Sequence, residues 1–137
     1  MNWKICEKKF LRKVDVDLER VESIKNMALK RFERIKKSKS TSEEISFIVE
    51  DYYEGIKELL VAYLLKNGWR SSNHQCLISY LYKKHPELEI EVDLISQMSF
   101  FRNRLGYYGE KVPRDFYESK KEEFDNLVKI LSNFLNE

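Results

Sequence analysis

The stretch "TSEEISFIVEDYYEGIKELLVAYLLKNG", Thr41 to Gly68, decides the fold class. Ile45, Val49, Tyr52, Ile56, Leu59 and Tyr63, with Leu60 beside them, recur every three or four residues, the period that lays apolar side chains along one side of an α-helix. Thr41, with Glu44 three residues on, has the form of a capping box, in which hydroxyl and carboxylate satisfy two amide donors that a helix start leaves orphaned. Asn67 and Gly68 supply a left-handed stop. A helix from Ser42 to Lys66 is predicted.

The same period extends in both directions. Upstream, Leu18, Val21, Ile24, Ala28, Phe32 and Ile35 predict a helix over about Asp15 to Lys37. "RIKKSK" closes it with positive charge, which suits the carbonyl end of the helix dipole. "NWKICEKKFL" before it reads as a short lead-in helix. Downstream, Ser71 and Ser72 restart the chain, and "HQCLISYLYKK" predicts a shorter helix burying Leu77, Ile78 and Leu81 until Pro86 forbids its continuation. A further helix is expected from about Glu91 to Leu105, stopped by Gly106. Pro113 then opens the last one, which turns Phe116, Tyr117, Phe124, Leu127, Leu131 and Phe134 inward. Alternating β-branched runs are nearly absent. The expected fold is all-α, an antiparallel up-and-down bundle of four main helices with a lead-in helix, and residues 1–137 form a single domain.

Composition narrows the function classes. Hydrophobic residues are 42% and charged ones 35%, which excludes the profile of a disordered chain. The 25 basic and 23 acidic residues are interleaved to a net +2, so no polybasic arm announces a partner. The longest apolar run, Leu59 to Leu65, is far short of the about 20 residues a bilayer span needs, and "MNWKICEKKF" lacks the apolar core of a secretory signal. No membrane association and a cytoplasmic location are therefore expected. Lys and Glu greatly outnumber Gln, and Thr occurs only at Thr41, a composition that leans towards a thermophile. Cys6 and Cys76 have neither CxxC nor zinc-site spacing and read as ordinary thiols. His74 and His85, eleven residues apart, are too distant for one metal ion even on an unbroken helix. No metal or cofactor is expected.

One residue breaks the pattern. In "FFRNRLGYYGE", Phe100 to Glu110, the residues Leu94, Met98, Phe101 and Leu105 share a sector, and Arg102 falls about 50° from its centre while Asn103 and Arg104 point progressively outward. A guanidinium so near the apolar seam must either pair with a carboxylate, for which Glu54 and Glu58 are available, or open onto a cleft. Arg104, Lys111 and Arg114 follow it with Glu110 as the one acid between them, and Tyr107 and Tyr108 are interleaved. Cations and rings in that mixture suit nucleotide or RNA phosphates.

"RNRLGY", Arg102 to Tyr107, resembles the motif of the HEPN superfamily of small helical bundles. "YYEGIKELLVAYLLKNGWRSSNHQCLISYL", Tyr52 to Leu81, is similar to that family's second and third helices. The resemblance runs from about Ser42 to Glu137 and implies a homodimer with a cleft at the dimer interface. Arg102 matches the family arginine and Asn103 its polar neighbour, but the motif histidine is missing and Tyr107 stands at its spacing. The family's metal-independent ribonuclease chemistry needs an imidazole, and a phenol with a pKa of about 10 is a poor base at neutral pH. The resemblance therefore implies a module binding nucleotide or RNA phosphates through Arg102, Arg104, Tyr108, Lys111 and Arg114, or a minimal nucleotidyltransferase as antitoxin-type partner. Its ribonuclease site would be degenerate, with Arg102, Asn103 and Tyr107 as its remnant. A toxin-like endoribonuclease and a ligand-free helical scaffold are the alternatives. The reading needs Gly106 to break the helix, since Tyr107 on a continuous one lies about 140° round from Arg102.

Overall fold

The computed structural model describes residues 2–38 and 42–137, without the side chains of residues 42 and 43. Thr41, half of the expected capping box, lies outside the described residues. A lead-in turn α1 (Trp3–Ile5) continues as one π turn over Cys6–Phe10 and passes into a three-residue strand β1 (Leu11–Lys13). α2 (Leu18–Lys36), α3 (Ser42–Lys66), a second strand β2 (Trp69–Ser71), α4 (His74–Lys84), α5 (Glu89–Tyr108) and α6 (Arg114–Asn136) follow. The fold is all-α.

α3 is the central helix and packs against α2, α4, α5 and α6. Its Ile56, Leu59 and Ala62 are fully buried, and the core closes over them with Ala28 of α2, Leu81 of α4, Ile95 and Met98 of α5, and Phe124 and Leu127 of α6. α2 approaches closely because Gly55 has no side chain: a Cβ there would sit 2.5 Å from the Phe32 ring. Polar ties fix the remaining helix against α3. Tyr52 donates to Asp125 Oδ1 at 2.6 Å, Lys66 Nζ donates to the Phe134 and Leu135 carbonyls at the end of α6, and Ser46 Oγ accepts from the Val112 amide at 2.9 Å. Those carbonyls would otherwise be the orphans of a helix terminus.

Two sequence expectations are corrected, and a ribbon that the sequence does not announce is added. The helix over "RNRLGY" does not stop at Gly106; α5 runs to Tyr108, and Gly109, at φ +65°, is the left-handed cap whose amide reaches back to the Arg104 and Leu105 carbonyls. Cys6 and Cys76 are not ordinary thiols but a disulfide, with Cα atoms 5.5 Å apart, that ties the lead-in turn to α4. Finally, β1 and β2 pair antiparallel, with Leu11 opposite Ser71, Arg12 opposite Arg70 and Lys13 opposite Trp69. This ribbon positions the start of α4. Gly68, at φ +81°, reverses the chain into β2 as the Asn-Gly stop predicts, and Asn73 then caps α4 by accepting from the Gln75 amide at 2.8 Å.

Candidate functional site

Residues 99, 103 and 107 of α5 are each one helical turn apart, and Arg102 lies between the first two rows of that face. Ser99, Arg102, Asn103 and Tyr107 form one wall of a cleft of about 380 Å³. The middle of α3 contributes Tyr53, Glu54 and Lys57, and the turn into α4 contributes Ser72, Asn73, His74 and Gln75. Tyr107 therefore reaches the cleft on an unbroken helix. It stands one turn beyond Asn103, and the opposite wall is the start of α4, away from the apolar sector. For the same reason Asn103 faces the cleft, where the sequence reading had turned it outward. The Arg102 guanidinium lies over Gly106, where a Cβ would be in ordinary contact, 3.6 Å from Nη1.

Arg102 is both paired and open. Its Nε lies 3.3 Å from Glu54 Oε1, with side chains 34% and 22% exposed respectively. The angle is poor, however, so neither of these two buried atoms is hydrogen-bonded. The stronger partner of Glu54 is Lys57, at 2.7 Å. Burial pushes the Glu54 carboxyl up, but the Lys57 hydrogen bond and charge, then the charges of Arg102 and Arg31, outweigh it and hold the group below its ordinary range. His74 is shifted down from 6.5 by burial first and by the Lys57 charge next; Glu54 opposes this and Arg102 adds to it. At neutral pH the cleft thus holds two cations, one carboxylate and a neutral imidazole, a net charge of +1 before any ligand enters. That combination offers a binding position for a single anion and, beside it, a group able to accept or return a proton.

Of the residues singled out in the sequence, Arg102, Asn103 and Tyr107 come together. Arg104, Tyr108, Lys111 and Arg114 do not reach the cleft. Arg104 is held by both carboxylate oxygens of Glu110, at 2.8 Å through Nε and closer through Nη2. Its guanidinium carbon also sits 4.7 Å from the Tyr108 ring centroid and 5.9 Å from that of Phe100. Arg114 pairs with Glu118, one turn along α6, at 3.5 Å. Tyr107 and Tyr108 are 76% and 68% exposed, so both rings are available to a partner. The sequence reading treats His74 only as too far from His85 for a shared metal ion, and it does not single out Lys57. Lys57 was legible only as the i+3 neighbour of Glu54. His85 is elsewhere, bonded to Tyr63 Oη at 2.9 Å and to Glu87 at 3.2 Å and stacked on Phe134. No group of three potential metal ligands occurs among the described residues. None of their helices is long and apolar enough to cross a membrane.

Comparison with known proteins returns no match: no family model, no curated protein and no solved structure is significantly similar to this chain, so the likeness to the HEPN family rests on the quoted motif residues.

Proposed function

We propose that the Arg102 cleft is a phosphate site and that the protein is a HEPN-like module binding nucleotide or RNA phosphates. The observation that carries this reading is the charge balance in a concave polar site: Arg102 and Lys57 against Glu54 alone, with His74 neutral. Arg102 is the group that specifies the ligand, because a planar guanidinium matches phosphate oxygens and its one ionic partner among the described residues lies nearest Nε, at 3.3 Å, without a hydrogen bond to it. The exposed rings of Phe100, Tyr107 and Tyr108 at the same end of α5 are apolar surface that a second copy, or a small nucleotidyltransferase partner, would cover. Titration with AMP followed by calorimetry tests the phosphate site. Arg102→Ala is expected to weaken binding at least about tenfold, the cost of removing one charge-assisted contact. Equal affinity for the wild type and Arg102→Ala would reject the site.

His74 favours a second reading, a metal-independent endoribonuclease. The imidazole absent from the motif position is present in the cleft on a different helix, held neutral as a base must be. In this reading His74 takes the proton from a ribose 2′-hydroxyl as that oxygen bonds to the adjacent phosphorus, and Arg102 neutralises the phosphorane charge. The 5′-oxygen then departs with a proton that the His74 imidazolium returns through solvent, which regenerates the neutral imidazole and leaves a 2′,3′-cyclic phosphate. Cleavage of single-stranded RNA that persists in EDTA and disappears in His74→Gln is the expected signature; intact RNA with the wild type leaves the binding reading alone.

A further inference from the structure

The ribbon beside the cleft carries charge that no carboxylate among the described residues pairs with. Arg12 on β1 and Arg70 on β2 are directly opposite each other, and both are exposed. Like charges facing across a strand pair destabilise it, so such a pair is normally relieved by a carboxylate. Among the described residues neither arginine forms an ion pair. Two hollows flank Arg70: one of about 370 Å³, to which Lys9 and Arg12 contribute, and one of about 210 Å³, to which Arg20 and Trp69 contribute. No carboxylate lines either hollow. The half-buried Trp69 indole also has the Lys13 ammonium 5.6 Å from its ring centroid. Both hollows adjoin the Arg102 cleft through a shared lining residue, Ser72 for the first and His74 for the second.

We infer that the β1–β2 ribbon is the second half of a binding track and that its ligand is single-stranded nucleic acid several nucleotides long, with one phosphate in the Arg102 cleft and the following ones over Arg70 and Arg12. Cations without a carboxylate partner, with an indole one residue along the strand and on its other face, offer a strand phosphate contacts and, round the ribbon's edge, a surface on which an unpaired base can stack. A duplex hides its base faces and leaves Trp69 unused. The proposal rests on the reading of the Arg102 cleft as a phosphate site.

The test uses the whole protein and fluorescein-labelled octanucleotides, rU8 and dT8, with AMP, an eight-base-pair duplex and inorganic polyphosphate as comparators. Affinities are measured by anisotropy, or by calorimetry for the unlabelled compounds, over a series of salt concentrations. The octanucleotides are expected to bind at least about tenfold more tightly than AMP, and whichever of rU8 and dT8 binds better identifies the sugar. The slope of log affinity against log salt should fall by about 0.7 for each of Arg12→Ala and Arg70→Ala, the value for one phosphate contact on a single strand. AMP binding should be unchanged in both variants. Octanucleotides, but not polyphosphate, should quench tryptophan fluorescence, and the quench should be lost in Trp69→Leu. Because Arg12 and Arg70 are exposed and mutually repelling, both variants should melt no lower than the wild type, which separates lost binding from lost folding. Octanucleotides binding no better than AMP, a duplex binding better than either strand, or a salt slope indifferent to both arginines would each overturn the inference. If AMP binding ignores Arg102→Ala while the slopes still fall, the ribbon stands and the cleft reading fails.

Discussion

At the scale of single residues, His74 has the most to report, because its charge answers to whatever occupies the cleft. Glu54 and Lys57 on α3 and Arg102 and Tyr107 on α5 line the same cleft, and the net effect of burial and these charges is an imidazole that resists protonation. A bound phosphodiester reverses the balance by adding negative charge, so the pKa of His74 is higher in the complex than in the free protein. Binding then takes up a proton, and affinity rises as pH falls, by up to about tenfold for each unit that the pKa climbs. A diester is the right probe, since a phosphomonoester itself titrates near pH 6. Between pH 7.5 and 5.5, dinucleotide affinity is expected to increase severalfold in the wild type and to stay flat in His74→Gln; a flat wild-type profile would show that His74 does not face the phosphate. The free protein should respond in the opposite sense. Its folded pKa lies below the unfolded value, the unfolded chain binds the proton more readily, and His74 therefore costs stability as pH falls below about 6.5.

At the scale of elements, helix existence was legible and the ends and partners less so. α3 announced itself because its apolar period is unbroken over the whole span of Ser42–Lys66, and the Asn67–Gly68 stop leads into the reversal at Gly68. Two candidate glycines stood at the end of α5, and nothing in "RLGYYGE" ranks them. A glycine inside a helix costs only about 1 kcal/mol, and the left-handed cap at Gly109 satisfies the Arg104 and Leu105 carbonyls, so the stop fell at the second. The ribbon was invisible for a different reason. "LRK" and "WRS" are each three residues long, too short for alternation to show, and their pairing is fixed by distant constraints: the turn at Gly68 and the disulfide beside it. The candidate site was half legible on the same grounds. Arg102, Asn103 and Tyr107 lie on one helix and could be grouped by periodicity, with Glu54 foreseen as a counter-ion. His74 and Lys57 enter from other helices, and only the packing of α4 and α5 on α3 brings them in. Arg104 and Arg114 illustrate the converse. Both were counted as free cations in the sequence, but each has a carboxylate, Glu110 or Glu118, within reach in space.

At the scale of the whole molecule, the Cys6–Cys76 bridge joins the two ends of the apparatus that holds the cleft. It fastens the segment before β1 to the first turn of α4, two residues after His74, and so braces the ribbon from outside its hydrogen bonds. Across a separation of 70 residues, closing the loop in the unfolded chain is worth about 4 kcal/mol on the chain-entropy account. Reduction, or Cys6→Ser with Cys76→Ser, is therefore expected to lower the melting temperature by about 10–15 °C for a chain of this size, as followed by circular dichroism at 222 nm. Most of the helix signal should survive at 25 °C, because the four long helices keep their shared core around Ile56 and Leu59 without the bridge. Phosphate-ligand affinity measured on that still-folded reduced protein should drop with the loss of bracing at His74, whereas a melting temperature unmoved by reductant would mean that the ribbon and the core already hold the lead-in segment in place.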